Sequence, residues 1–166
     1  MNDNIAWEDL LSVYRNSPQE IRRMVGELSD SQLDLAPDED NWSIREIIHH
    51  IVDGDSIWTS FIKQALGEQA RPFELFWYWD LTQDEWGKKW AYETRPIEPG
   101  LDLLHANREY ILSILSSISD ISPYSLEIPW PSGEISRWTI RDAIDWNIKH
   151  SQNHLDEIKL ILDNNS

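Results

Sequence analysis

Residues 138–158, WTIRDAIDWNIKHSQNHLDEI, decide how this chain is read. An α-helix turns about 100° per residue, so each position can be assigned to a face. Ile140, Ala143, Ile144, Leu155, Ile158, Ile161 and Leu162 fall on one apolar stripe, and the helix runs to about Leu162. Asn147, His150, Ser151 and His154 lie on that same stripe, whereas Asp145, Lys149, Gln152 and Asp156 face away. A buried polar group left unpaired costs roughly 1–3 kcal/mol, so several on one inner face must satisfy each other or meet water or a metal. His150 and His154 stand four residues apart, which stacks their rings on one face where they can share an ion. The motif is HSQNH rather than HExxH, because Ser151 stands where a zincin carries its glutamate base.

A second helix opens in nearly the same way, with WSIREIIHHIVDGD at residues 42–55. Ser43 and Glu46 form a capping box. Apolar residues at 44, 47, 48, 51, 58, 62 and 65 keep helical spacing, and Gly67 ends the run. His50 lies on the flank of this stripe in line with Gly54, Ile57 and Phe61, so it points inward. His49 lies on the other side, near Ser56 and Lys63, and is expected to point outward; the adjacent pair does not supply two ligands. Asp53 and Asp55 are expected off the inner stripe. His50, His150 and His154 therefore form a candidate site for one divalent transition metal, since neutral imidazoles suit zinc, nickel, iron or copper better than magnesium or calcium. Three protein ligands leave one coordination position open. The competing reading is a metal-free bundle whose histidines hydrogen-bond to one another.

The remaining chain supplies two more helices and three connections. Ile5 to Leu28 reads as a short helix near 5–15 followed by a restart or kink at Ser17-Pro18-Gln19-Glu20, where Ser17 and Glu20 fit a capping box. Ser29 to Asn41, with Pro37, reads as a loop. Residues 68–100 are irregular; they hold three prolines and the cluster Phe73, Phe76, Trp77, Tyr78, Trp79, Trp86, Trp90 and Tyr92, with Thr82 to Glu85 able to cap a short helix. This segment reads as a wall over the open metal position, as a cap on the bundle, or as a dimer seam. Leu101 to Ile118 is the third long helix. Its stripe includes Arg108, which could bind a substrate carboxylate or form a structural ion pair; His105 lies one turn earlier, at the mouth of the site or on the surface. Ser119 to Ser136, with three prolines and Gly133, is a connection with room for a short hairpin. Four long helices predict an all-α, antiparallel four-helix bundle with long, Trp-rich connections, spanning 1–166 as one domain. Asn147 and Arg108 are the candidate substrate-binding residues.

Composition narrows the partners. The chain has 166 residues, ten tryptophans, no cysteine and a net charge of −16. That surface repels phosphate backbones and anionic membranes, so neither nucleic acid nor membrane is expected as a partner. The lack of cysteine excludes disulfides and thiolate sites and fits a reducing cytoplasm. The N-terminus MNDNIAWEDL lacks the basic-then-apolar pattern of a signal peptide.

LSDSQLDLAPDEDNWSIREIIHHIVDGD (28–55) and WTIRDAIDWNIKHSQNHLDEI (138–158) together resemble the DinB-like superfamily, and within it the YfiT-like metal-dependent hydrolases. The likeness rests on Trp42 with His50 eight residues later and Asp53 beyond, and on the C-terminal His150 and His154 followed by Leu155 and Ile158. It covers roughly residues 17–66 and 101–162; the Trp-rich middle has no counterpart in it. The resemblance implies an up-down-down-up bundle, commonly a homodimer, with a three-histidine site for zinc or nickel, onto which His50, His150 and His154 map. Some members transfer thiol cofactors such as bacillithiol, or isomerise maleylpyruvate with mycothiol. It therefore implies a small-molecule substrate and a low-molecular-weight thiol as co-substrate, without fixing a catalytic base. Three functions follow as expectations: a thiol-cofactor transferase, a hydrolase, or a non-catalytic ligand-binding or stress-response bundle with a structural metal.

Overall fold

The computed structural model describes residues 5–165. Met1 to Asn4, part of the stretch read for a signal peptide, lie outside the described residues. Four long helices dominate: α1 (Trp7–Val25), α3 (Ile44–Gly67), α6 (Glu98–Leu115) and α7 (Ile140–Asn164). Three short ones, α2 (Asp30–Leu33), α4 (Phe76–Trp79) and α5 (Gln83–Lys89), and a hairpin of β1 (Ser125–Pro129) and β2 (Ile135–Thr139) occupy the connections. No helix among the described residues is long and apolar enough to cross a membrane.

Side-chain caps place most helix starts. Ser43 accepts from the Glu46 amide while Glu46 accepts from the Ser43 amide at 2.9 Å. Thr139 and Asp142 repeat the exchange at α7, and Thr82 with Glu85 at α5. Ser29 and Gln32 do the same for α2, so the expected loop from Ser29 contains one helical turn.

The expected break at Pro18 does not occur, and Ser17 and Glu20 form no capping box there. α1 is continuous from Trp7 to Val25, although proline offers no N–H to the Tyr14 carbonyl four residues earlier. Ser17 Oγ donates to that carbonyl at 3.1 Å instead, and Arg108 Nη1 reaches it at 3.4 Å. The orphaned acceptor is satisfied, so the helix continues. α6 starts earlier than expected, with Pro99 in its first turn, and stops at Leu115 rather than Ile118.

α3 packs between α6 and α7, and so does α1, so the consecutive helices α1 and α3 sit diagonally. The core divides into two apolar clusters. One joins Leu10 and Tyr14 of α1, Phe61 and Ile62 of α3, Ile111 and Leu115 of α6, and Ile140 and Ile144 of α7. The other joins Ile21 and Val25, Ile44 and Ile48, Leu101 and Leu104, and Leu155 and Ile158. α1 and α7 thus run one way and α3 and α6 the other, which is the up-down-down-up order; two of the neighbouring pairs are parallel. Burying each of these aliphatic side chains contributes about 1.5–3 kcal/mol before chain entropy is counted.

Between the clusters lies a polar layer centred on Arg108. Its guanidinium donates to Asp55 Oδ1 of α3 at 2.8 Å, to Ser151 Oγ of α7 at 3.0 Å and to Ser17 Oγ of α1, and it stacks over the Tyr14 ring. One residue of α6 therefore ties all four long helices at one level. The hairpin closes the first cluster: Leu126 and Ile128 of β1 are buried, and Phe73 extends its edge by donating to the Glu127 carbonyl at 2.8 Å.

Candidate metal centre

α3 and α7 face each other across the bundle, and their phases bring His50, His150 and His154 together. The His50 and His150 Nε2 atoms are 3.0 Å apart, and those of His150 and His154 3.2 Å. One nitrogen from each ring lies within 4.8 Å of the others. Trp146, one turn before His150, stacks on its ring at 4.5 Å and 14°. Trp42 packs against His50 at 4.7 Å. Glu157 Oε2 is 3.0 Å from His154 Nδ1, so that nitrogen donates and leaves the Nε2 lone pair facing the other rings. The two look-alike helix starts therefore do different work: Trp42 touches its own histidine, whereas Trp138 stacks on Trp58.

The donor set fits a transition-metal ion. Burial, with a smaller contribution from the neighbouring rings, lowers the His50 pKa to about 4 and the His150 pKa to about 3, so both are neutral near pH 7. Each neutral ring has one N–H. His150 Nε2 can give or take one proton, which satisfies one of its two short nitrogen contacts and not both. A single cation at the centre satisfies three lone pairs at once, which the metal-free reading cannot do.

A cavity of about 290 Å³ opens against His50 and His150. Ile57 and Trp58 of α3, Trp146 of α7, Ile128 and Trp130 of the hairpin, and Phe73 to Gln83 of the Trp-rich connection enclose it. That connection thus forms a wall beside the histidines. Trp86 Nε1 donates to the Tyr78 carbonyl at 2.7 Å, and Tyr78 Oη donates to Gln83 Oε1 at 2.7 Å. Gln83 in turn stands next to His50 and slightly offsets its lowered pKa. A larger groove of about 730 Å³ between α1, the end of α6 and the start of α7 holds none of the three histidines.

Several residues sit elsewhere than expected. His49 does point away from the three-histidine group, but it is buried rather than exposed. Residues 92–95 cover it: Tyr92 stacks on the ring at 5.5 Å, Arg95 donates to Nδ1 at 2.9 Å, and Nε2 donates to the Arg95 carbonyl at 3.2 Å. Asp55, expected off the inner stripe, is fully buried in the ion pair with Arg108. Asp53 accepts from Tyr92 Oη at 2.6 Å. Arg108 lies in the polar layer, and His105 is exposed. Asn147 is buried with its Nδ2 unpartnered, and its carbonyl accepts from Ser151 Oγ; neither Asn147 nor Arg108 lines the aromatic cavity. Gln83, Trp146 and Glu157 were missed from sequence. The last two stand at i−4 and i+3 from the histidines they touch, a spacing that could have found them.

Comparison with known proteins agrees with this fold. A family model described as the DinB superfamily matches residues 14–158. A protein of Oceanobacillus iheyensis named "putative metal-dependent hydrolase" is 26% identical over 169 residues, covering 100% of this chain and 89% of the relative. Another of that name from Halalkalibacterium halodurans is 28% identical over 148 residues, covering 87% and 80%. Among solved structures, YfiT from Bacillus subtilis, described as "a probable metal-dependent hydrolase with an unusual four-helix bundle topology", superposes with a TM-score of 0.80 at 21% identity, covering 97% of this chain and 90% of that one. The fold, the order of its helices and the match over residues 14–158 lead to one conclusion: this chain belongs to the DinB superfamily.

Proposed function

We propose that this chain is a metal-dependent enzyme of small molecules that holds one zinc or nickel ion on His50, His150 and His154 and turns the ion's open position toward the aromatic cavity. The observation that carries the reading is the convergence of three Nε2 atoms, two of them on rings that line that cavity. A structural ion has no need of an adjoining chamber. When bound, such an ion supplies Lewis acidity at the open position.

The protein's own residues do the rest. Glu157 and the stacked Trp146 hold two of the rings in place. The cavity walls exclude water and seat the substrate. No carboxylate lines the cavity to act as a general base. That favours a reaction in which a low-molecular-weight thiol brings the nucleophile: its sulfur bonds to the substrate carbon, the leaving group departs with the electron pair, and the thiol proton balances the charge. Hydrolysis of a small substrate, the activity in the relatives' names, is the alternative.

The test begins with elemental analysis of untagged protein, expected to give one transition metal per chain. His150→Ala should lose that metal while far-UV circular dichroism stays helical. Unchanged metal content in the variant overturns the site. Mass spectrometry of products from thiol-plus-electrophile mixtures then separates transfer, whose product carries the thiol sulfur in place of the leaving group, from hydrolysis, whose product carries a hydroxyl there.

A further inference from the structure

About one residue in four of this chain is charged, yet none of the thirteen that line the cavity beside the histidines is Asp, Glu, Lys or Arg. Six are aromatic: Trp58, Phe73, Tyr78, Trp79, Trp130 and Trp146. The rings are held rigidly. Trp58 contacts Trp146 at 5.0 Å, Trp79 contacts Trp130 at 5.8 Å, and Trp130 spends its indole N–H on Ser136 at 2.6 Å, outside the cavity lining. Apart from the two histidines, the Tyr78 hydroxyl and the tryptophan indole N–H groups, the polar lining is the Gln83 amide, the one group there with free hydrogens on a flexible side chain. Tyr78 Oη donates to Gln83 Oε1, and the Gln83 side chain, which also stands beside His50, offers its Nε2 hydrogens to a guest.

From this lining we infer that the Trp-rich connection builds a binding site for a neutral, planar aromatic group of one or two rings, and that Gln83 recognises an oxygen acceptor on it. Size agrees: about 290 Å³ holds roughly ten water-sized groups at ~30 Å³ each. In metal-free protein, desolvating a charge here would go uncompensated, because no charged side chain lines the walls. Flat π-faces favour an aromatic guest over a saturated one of equal size, through stacking and edge contacts. The assignment of this guest as the substrate rests on the function proposed above; the binding preference of the cavity stands without it.

The experiment is isothermal titration calorimetry on the full chain, as purified and after removal of metal by chelation, with metal content measured on each sample. The probes are 2-naphthol, its saturated analogue decahydro-2-naphthol, 2-naphthoate and naphthalene. On metal-free protein, 2-naphthol should bind one per chain and at least tenfold tighter than the saturated alcohol or the carboxylate. Gln83→Leu should weaken 2-naphthol at least fivefold and leave naphthalene unchanged. Ile57→Trp, which fills the chamber, should abolish binding of both; the probe series on the unmodified chain tests the inference even if that variant does not fold. Equal binding of the saturated alcohol, tighter binding of 2-naphthoate to metal-free protein, or no binding at all overturns the aromatic site. An equal loss of naphthol and naphthalene in Gln83→Leu overturns the role of Gln83. Absence of metal in the purified protein would refute the metal assignment and leave these results standing.

Discussion

Replacing Arg108 with methionine should cost this protein a large share of its stability. The side chain is 1% exposed and its partner Asp55 carboxylate 0%. Breaking a buried pair by removing one member leaves an uncompensated charge, at about 3–5 kcal/mol. Ser151 and the Tyr14 carbonyl each lose a contact as well, although Ser17 keeps the carbonyl partly satisfied. Against a total of roughly 5–15 kcal/mol for a protein of this kind, a loss near 4 is easily measured. Urea unfolding followed by far-UV circular dichroism should show a lower midpoint at unchanged slope. The double variant Arg108→Met/Asp55→Leu should recover most of the loss, because an apolar pair of similar volume fills the layer without a buried charge. The two sites should therefore couple by at least about 2 kcal/mol in a double-mutant cycle. A single variant that loses less than about 1 kcal/mol, or a double variant that loses the sum of the two singles, refutes the account of the polar layer.

Metal-free protein should be acid-sensitive. His50 and His150 have pKa values of about 4 and about 3 when folded and near 6.5 when unfolded, so the unfolded chain binds more protons between those limits. Stability is then full above about pH 6.5 and falls on acidification, by at most ~2.7 kcal/mol per pH unit for the two rings; thermal melts that are flat from pH 6.5 to 4.5 would contradict this. Saturating zinc or nickel should raise the melting temperature at neutral pH, and a chelator should reverse the rise. Gly54→Ala places a Cβ 3.5 Å from His150 Cε1, an ordinary contact, and should stabilise α3 by about 0.5–1 kcal/mol with metal binding retained. Ser17→Ala takes one of two donors from the Tyr14 carbonyl and should cost about 1–2 kcal/mol in the same unfolding assay.

Helical phase and capping chemistry made much of this molecule legible. The starts at Ser43 and Thr82, and the stretch opening at Trp138, give real helices, and the stripes turn His50, His150 and His154 toward each other. Phase identifies the face on which a residue lies; it does not say what covers that face. The outer side of α3 looked solvated, yet the connection through Tyr92 and Arg95 lies over it and buries His49. Asp55 went unrecognised because its partner is on α6, 53 residues away. Pro18 looked like a break because Ser17 was read as a cap for a new helix, whereas its hydroxyl, supported by Arg108 from α6, serves the carbonyl that the proline leaves without a partner. Gln83 carried no local signal, since its significance comes from a tertiary contact with Tyr78 and from its place beside His50.

The polar layer has a further consequence for motion. It divides the apolar core, so each end of the bundle closes on its own cluster. The end carrying the hairpin and the aromatic chamber can loosen without exposing the end built around Ile44, Leu104 and Ile158. Amide hydrogens should accordingly exchange in two cooperative units, with the chamber end opening at the lower free energy. His50, His150 and His154 stand near the seam between those units. Small molecules could enter and leave through fluctuations of one half while the other keeps the three imidazoles in register.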